Sequence, residues 1–268
     1  MSARISILMG VYNCEQTLPQ AIDSIVNQTY TKWKLIICDD GSSDNTYSVA
    51  QSYKEKYPDK IILVKNDSNS GLNRTLNHCL KHADTEYCAR MDGDDISMPE
   101  RLEEEISFLD ANPEYAIVST DMEYFDNSGT WGKSNAKAYP QKEDFAAGSP
   151  FCHAPCMVRT QAYKAVNGYT ENQHLLRVED YHLWIKMYSV GYKGANLQKV
   201  LYKMRDDRNA TKRRKYRYRI NEAYVRYLGV KMLKLKKLNY IYILRPLIVG
   251  LLPTTIYEKL HKKRLSKG

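Results

Sequence analysis

The sequence lacks several features that would each assign it to a particular class of protein. Its 268 residues contain no internal repeat and no low-complexity tract, which disfavours a fibrous or disordered chain. The apolar run within residues 1–13 is short and has no small-residue cleavage site, so it predicts a first strand and not a signal peptide. The stretch MGVYNCEQ has no glycine-rich phosphate loop, which disfavours a nucleotidyltransferase that builds sugar nucleotides.

The six cysteines show no pattern of a metal site. CHAPC, residues 152–156, has no second Cys/His pair at zinc-site spacing. Several cysteines lie inside apolar, strand-like runs, so we expect reduced core residues in a cytoplasmic protein.

The charge is distributed unevenly along the chain. The formal net charge is +9, and basic residues crowd the region from Arg205 onward, while the first half is close to balanced. Such asymmetry predicts a basic tail that contacts an anionic partner, either nucleic acid or a membrane surface.

The first 110 residues alternate between strand and helix patterns. KLIICDD, residues 34–40, is a nearly continuous apolar run, which is typical of a parallel strand covered on both sides. Leu72, Leu76 and Leu80 recur at helical spacing. The alternation predicts an α/β fold, with a mostly parallel open sheet and helices on both faces.

Three polar loops follow predicted strands: GVYN (10–13), DDGS (39–42) and DGDD (92–95). In open parallel sheets, ligands bind beyond the carboxyl ends of the strands. We therefore expect the three loops to meet on one rim and form the functional site.

The loop DGDD brings three carboxylates close together, at Asp92, Asp94 and Asp95. The turn is either a solvated turn that caps the following helix or a site for Mg²⁺ or Mn²⁺, which bind carboxylates, substrate phosphates and water. Taken alone, the acidic turn does not decide between them.

The other two loops also have two interpretations. Asp40 can accept hydrogen bonds from a nucleobase or sugar, but Asp39 or Ser42 can equally form an Asx-turn. Tyr12 can stack on a base or be an ordinary core tyrosine, since the chain has 22 tyrosines. Each loop alone is weak evidence for a ligand-binding site, and the three loops together are strong evidence for one.

A further acidic pair, Glu179 and Asp180, precedes Leu183, Trp184 and Met187, which lie at helical spacing. The pair either interacts favourably with the N-terminal end of a helix dipole or supplies a general base. The residues alone leave both open.

Taken together, these motifs resemble the inverting family 2 glycosyltransferases, which have the GT-A (Rossmann-like) fold. The matching stretches follow the family's order over about residues 4–205: SILMGVYNCEQTLPQAIDSIVNQTY, KLIICDDGSSDNT, NSGLNRTLN, ARMDGDDISMPERLE, FCHAPCMVR, VNGYTEN and VEDYHLWIKM. The resemblance implies a domain over 1–210, with a nucleotide-binding part at about 1–110 and an acceptor-binding part at about 111–210.

The resemblance also implies roles for individual residues. Asp180 would be the catalytic base with Glu179 its neighbour, and Asp94 the ligand of a divalent cation, Mn²⁺ or Mg²⁺. The residues expected to bind the donor or border the acceptor are Val11, Tyr12, Asn13, Asp40, Arg74, Asp92 and His153. Asp206 or Asp207 stands where many relatives have a histidine, so the completion of the metal site is open.

The implied reaction is transfer of one sugar from a nucleotide-sugar donor, a UDP-sugar by family habit. The acceptor would be a hydroxyl of a glycan or of a polyprenyl-diphosphate-linked sugar in bacterial capsule, O-antigen or similar synthesis. The Q-x-x-R-W signature of processive synthases is absent, which favours non-processive transfer. A non-catalytic nucleic-acid-binding protein is the other alternative, but it leaves the acidic rim unexplained, so we expect no nucleic acid partner.

The C-terminal region, residues 211–268, predicts a basic, amphipathic helical extension. Its apolar stretch from Leu238 to Tyr257 has spanning length but is interrupted by Arg245, Pro246 and Pro253. We expect it to lie on an anionic membrane, at the inner face of the plasma membrane; a solvated helix packed back on the domain is the alternative.

Overall fold

The structure is a computed structural model that describes residues 2–206 and 215–251. Within these residues it has a nine-stranded sheet and eight α-helices. The strands are β1 (Ile5–Val11), β2 (Trp33–Asp39), β3 (Ile61–Lys65), β4 (Tyr87–Asp92), β5 (Ile96–Ser97), β6 (Ile117–Asp126), β7 (Gly129–Lys133), β8 (Met157–Arg159) and β9 (Gly194–Arg205). The helices are α1 (Leu18–Val26), α2 (Thr46–Lys56), α3 (Leu72–Lys81), α4 (Arg101–Ala111), α5 (Thr160–Ala165), α6 (Glu179–Ser189), α7 (Arg217–Met232) and α8 (Leu244–Gly250).

The sheet has the strand order β3-β2-β1-β4-β8-β6-β9-β5, and β7 pairs with β6. The first four strands in this order are parallel, which confirms the expected βα alternation. Beyond β4 the sheet is mixed, because β8 runs antiparallel to both β4 and β6. No crossover helix precedes β8, which is reached through the β6–β7 hairpin and a 3₁₀ helix (Lys142–Ala146).

Helices cover both faces of the sheet, as the sequence predicts. Along β1, Ile5, Ile7 and Met9 point into an apolar cluster that contains buried residues of α1, α2 and α4. Leu8 points to the opposite face, where the cluster includes α3, α5 and α6. This alternation is the two-residue period of a strand, and burial on both sides explains the continuous apolar runs.

Helix α7 packs against the sheet domain. Val225 is fully buried and Leu233 nearly so, in the same cluster as α6. The predicted boundary at residues 210 and 211 falls outside the described residues and stays a prediction. Across the described ranges, no helix combines enough length and apolar character to cross a bilayer.

A glycine fixes the turn after β2. Gly41 has φ +71°, and a Cβ there would lie 2.8 Å from the backbone Cα and carbonyl carbon of Ser68. The turn therefore needs both a left-handed conformation and an absent side chain.

We expect Gly41→Ala to lower the free energy of unfolding by about 3 kcal/mol, of which about 1–2 is left-handed strain and the rest overpacking. Gly129→Ala is the control, because Gly129 has φ +110° and nothing within 4 Å of its Cβ position. Urea unfolding measures both, and equal losses would contradict the close contact at Ser68.

Candidate active site

A cavity of about 990 Å³ opens at the carboxyl ends of β1, β2 and β4. Its lining includes residues from all three loops that the sequence singles out, so the expected convergence is confirmed. Val11, Tyr12 and Asn13 line it from the first loop. Tyr12 is 47% exposed, which excludes the interpretation as a core tyrosine.

The loops after β1 and β2 are hydrogen-bonded to each other. The backbone amide of Asn13 donates to Ser42 Oγ at 3.0 Å. The side-chain Oδ1 of Asn13 accepts from the backbone amide of Ser43 at 2.9 Å. Asn13 has φ +48°, a left-handed conformation that asparagine tolerates better than most residues. These bonds fix the floor of the cavity.

The carboxylates of Asp39 and Asp40 accept hydrogen bonds from different segments. Both oxygens of Asp39 accept from the backbone amide of Ser42, three residues on, at 3.3 Å, so Asp39 closes the turn after β2. Asp40 lines the cavity and holds the loop before α3: its Oδ1 accepts from Asn66 Nδ2 at 2.7 Å and the Ser70 amide at 2.9 Å, and its Oδ2 from the Gly71 amide at 3.0 Å. A carboxylate has about four acceptor positions, so Oδ2 keeps capacity for a ligand.

The acidic turn is built over a buried arginine. Arg90 is only 1% exposed, and its guanidinium donates to the Asp92 carboxylate and to the Met91 carbonyl. Burial alone would lower the pKa of Arg90, but the charge and hydrogen bond of Asp92, together with smaller contributions from Tyr169 and Tyr202, outweigh burial and raise that pKa. The positive group that the carboxylates need is therefore supplied from inside the domain.

The other two carboxylates of the turn differ in position. Asp94 lines the cavity, where loss of solvent and, second, the charge of Asp92 raise its pKa to about 6. Asp95 points inward, where its Oδ1 accepts from the Arg205 amide at 2.7 Å. Burial, followed by the charges of Asp92 and Asp94, raises the pKa of Asp95 well above its usual value.

The first turn of α6 carries the acidic pair. Glu179 is buried and lines the cavity, and within the described residues its Oε2 has no hydrogen-bond partner. Asp180 is half-buried and does not itself line the cavity. Burial and, second, the charge of Glu179 raise the pKa of Asp180 to about 7. Two adjacent acids with raised pKa values are suited to proton transfer near neutral pH.

Three other candidate residues lie away from the cavity. Arg74 pairs with Glu171 at 3.2 Å on the surface, while its neighbours in α3 form the cavity wall. His153 is covered by Trp184 and its Nε2 lies 2.8 Å from Tyr169 Oη; burial lowers its pKa well below the usual value, so it is neutral. Asp206 is not in the lining, and Asp207 lies outside the described residues.

Several lining residues are not anticipated from the sequence, and three of them, Arg177, Arg205 and Tyr218, lie outside the three loops. Arg177 precedes the acidic pair, Arg205 ends β9, and Tyr218 lies in α7. The only available signal is for Arg177, which stands two positions before Glu179. Arg205 and Tyr218 reach the cavity through sheet pairing and helix packing, which no local pattern records.

Comparison with known proteins now gives the geometry a family context. Residues 6–166 match the family model described as Glycosyl transferase family 2. EpsE of Bacillus subtilis, provisionally named a glycosyltransferase, is 43% identical over 98% of this chain and 94% of its own length. The amylovoran biosynthesis glycosyltransferase AmsE of Erwinia amylovora is 31% identical over 96% of this chain and 98% of its own length.

Solved structures share the fold. A crystal structure of S. aureus TarS 1–349 in complex with UDP-GlcNAc has a TM-score of 0.68 at 18% identity, covering 94% of this chain and 72% of that one. The mannosyltransferase PcManGT of Pyrobaculum calidifontis, in complex with GDP-Man and Mn²⁺, has a TM-score of 0.64 at 20% identity. The match covers 100% of this chain and 75% of the PcManGT chain. The likeness confirms the expected GT-A fold.

We expect Arg90→Met to lower the free energy of unfolding by about 3 kcal/mol, because it leaves the partly buried Asp92 without its cation. Arg4→Met is the control, since Arg4 pairs with Glu86 and Asp110 at the surface and its loss should cost no more than about 1 kcal/mol. Urea unfolding at pH 7 measures both. Similar losses in the two variants would show that the Arg90 charge is not needed beneath the turn.

Proposed function

The chain belongs to glycosyl transferase family 2, and on that basis we propose that it moves one sugar from a UDP-sugar to a hydroxyl of a glycan or lipid-linked acceptor, with inversion and without processivity. The observation that carries the proposal is a cavity whose lining combines the three loop ends with Glu179 of α6. Involvement in bacterial polysaccharide or lipid-linked glycan synthesis agrees with the relatives. One of them, WfgD of Escherichia coli, is named a UDP-Glc:alpha-D-GlcNAc-diphosphoundecaprenol beta-1,3-glucosyltransferase and is 31% identical over 68% of this chain.

The nucleotide would occupy the side of the cavity formed by the first two loops. The exposed Tyr12 ring offers a flat surface for a base, between Val11 and Asn13. The remaining acceptor position of Asp40 Oδ2 suits the N–H of a uracil ring. The bound UDP-GlcNAc of the TarS structure supports this choice of nucleotide.

The acidic turn fits a divalent cation. Asp92 and Asp94 both line the cavity; burial and, second, the charge of Asp92 raise the pKa of Asp94, and a bound cation would offset the repulsion between the two carboxylates. No group of three or more His, Cys, Asp and Glu side chains within 2–206 and 215–251 forms a complete metal cage. Mg²⁺ and Mn²⁺ sites are usually completed by substrate phosphates and water, so Asp94 as a direct ligand beside Asp92 is sufficient. The ion, when bound, would neutralise charge on the leaving diphosphate.

Asp180 is the proposed general base. Its pKa of about 7 leaves a large fraction ionised at neutral pH and able to take the proton of an acceptor hydroxyl. Glu179, with its unpartnered Oε2, would orient the acceptor from the cavity wall. Attack on the face of the sugar opposite the diphosphate then inverts the anomeric centre, and no covalent intermediate is needed.

The test is a donor screen with the purified protein, which measures release of nucleoside diphosphate from common sugar nucleotides with Mn²⁺ or Mg²⁺. We expect turnover that EDTA abolishes. The rate with the wild type should rise with pH between about 6 and 8, because the base acts in its deprotonated form and its pKa is about 7.

Asp180→Asn should abolish this turnover while UDP binding by calorimetry survives. Asp84→Asn is a matched control, because Asp84 is an exposed carboxylate paired with Lys34 away from the cavity. Normal turnover in Asp180→Asn would refute the role of Asp180, and failure of every sugar nucleotide to bind would refute the function.

The last described segment is the proposed membrane contact. The 3₁₀ helix Lys237–Ile243 and α8 expose Leu238, Ile241, Leu244 and Ile248, each at least 53% accessible. The exposed cations beside them are Lys234, Lys236, Lys237 and Arg245. Apolar side chains flanked by cations suit an anionic lipid surface, where the apolar groups enter the interface and the cations meet the headgroups.

Replacing Leu238, Ile241, Leu244 and Ile248 together by Ser should weaken binding to phosphatidylglycerol vesicles at least about tenfold, because the apolar area is lost. Vesicle flotation measures the binding, and phosphatidylcholine vesicles should bind the wild type less. Val190→Ser is the control, since Val190 is 58% exposed but lies after α6, outside this segment. Unchanged flotation of the fourfold variant would exclude the segment as the membrane contact.

A further inference from the structure

The cavity has a second wall, formed by residues outside the three loops. Leu176, Arg177 and Glu179 form it before and at the start of α6, and Tyr218 completes it from α7. Pockets for small ligands typically enclose about 300–1,000 Å³. The cavity volume of about 990 Å³ is at the top of that range and leaves room for a second substrate beside the donor.

The charges of the lining are unequal. Among the described lining residues there are six carboxylates, from Glu15, Asp40, Asp44, Asp92, Asp94 and Glu179. The same lining has two cations, Arg177 and Arg205. An anion in this cavity therefore depends on very few positive groups.

Arg205 is already engaged. Its Nε donates to the Asp94 carbonyl at 3.0 Å, its Nη2 donates to Gln20 Oε1 at 2.8 Å, and its guanidinium lies 4.6 Å from the Phe125 ring centre. The Arg177 side chain is exposed and, among the described residues, forms no side-chain hydrogen bond and no ion pair within 4.0 Å, although its charge acts on Glu179 and Tyr218. Arg177 is thus the cation of the cavity that is available to a ligand.

The backbone at Arg177 is held in an unfavourable conformation. Its φ is +70°, which costs free energy for any residue with a side chain, and more for arginine than for glycine or asparagine. The segment before it is fixed from α7, because Asn221 Nδ2 donates to the Leu176 carbonyl at 3.0 Å. The left-handed turn brings both Arg177 and Glu179 to the cavity.

A second cation, Arg217, lies against Tyr218 of the same wall. Arg217 packs on the Tyr218 ring at 4.9 Å and its Nη2 lies 3.0 Å from Tyr218 Oη. That contact with Arg217, with a smaller contribution from the charge of Arg177, holds the pKa of the Tyr218 phenol below its usual value. Both guanidinium groups therefore act on the same phenol.

We propose that Arg177, with Arg217 and Tyr218 beside it, binds a phosphate of the diphosphate that joins a lipid to the acceptor sugar. This proposal rests on the proposed function. The donor diphosphate belongs at the acidic turn, whereas Arg177 is on the wall of Glu179, where the acceptor hydroxyl must be. A guanidinium matches phosphate oxygens through paired N–H groups.

The shared chemistry is a diphosphate, and the experiment separates its two sources. The protein is saturated with UDP and Mn²⁺, so that the donor position is filled, and geranyl diphosphate is then titrated by calorimetry. We expect it to bind, and Arg177→Gln to weaken this binding at least about tenfold while UDP affinity stays within about twofold. Arg177→Lys should restore part of the binding, because it keeps the charge without the paired N–H groups.

A second variant controls for folding. Arg177→Gly relieves the positive φ, so its melting temperature should rise while geranyl diphosphate binding falls as in Arg177→Gln. Asn167→Gly is the matched control, because Asn167 has φ +53° and is not in the cavity lining; geranyl diphosphate should bind it as it binds the wild type.

Three results would overturn the assignment: no binding of geranyl diphosphate to the UDP-saturated protein, unchanged binding in Arg177→Gly, or an equal loss of UDP affinity in Arg177→Gln. The last would assign Arg177 to the donor diphosphate. If UDP itself fails to bind, the proposed function fails, and the same titration on the free protein still decides whether Arg177 binds a diphosphate.

Discussion

The buried guanidinium of Arg90 is the constraint on which the site depends. Three carboxylates within four positions repel one another, and Arg90 offsets part of that repulsion. Arg90 lies inside the domain and donates to Asp92 and to the Met91 carbonyl. Its own carbonyl accepts from Arg101 Nη1 at 3.0 Å. The end of β4 is therefore held through both the side chain and the backbone carbonyl of Arg90.

The second wall of the cavity, which contains Leu176, Arg177, Glu179 and Tyr218, depends on the packing of α7. Arg226 Nη1 donates to the Ala146 carbonyl at 2.8 Å, and Asn221 holds the Leu176 carbonyl, so α7 is bound to segments far from it in the chain. Tyr218 enters the cavity from this helix. The basic region after the predicted domain boundary thus contributes to the site, and does not act solely as a contact with an external surface.

The parts of the site that the sequence predicts are those carried by strand ends. Tyr12, Asp40 and Asp94 each follow an apolar run whose length fixes where a strand stops, and parallel strands place their ends on one rim. Arg74 shows the limit of this reasoning. It belongs to a helix whose cavity face is set by its rotation against the sheet, and that rotation turns Arg74 outward to Glu171. A motif match predicts where the helix lies in the sequence, but not which of its residues face the cavity.

The sequence by itself determined the βα alternation, the acidic turn and the family. The alternation follows from local hydrophobic periodicity, and the turn and the family follow from the motifs and their order. Only the tertiary structure decided which charges meet. Arg90 donates to Asp92 because both residues lie on the same face of β4, and the left-handed backbone at Arg177 places that residue in the cavity lining. Which charges meet depends on how the packed sheet orients each side chain, and that orientation exists only after the two apolar faces of the sheet are covered.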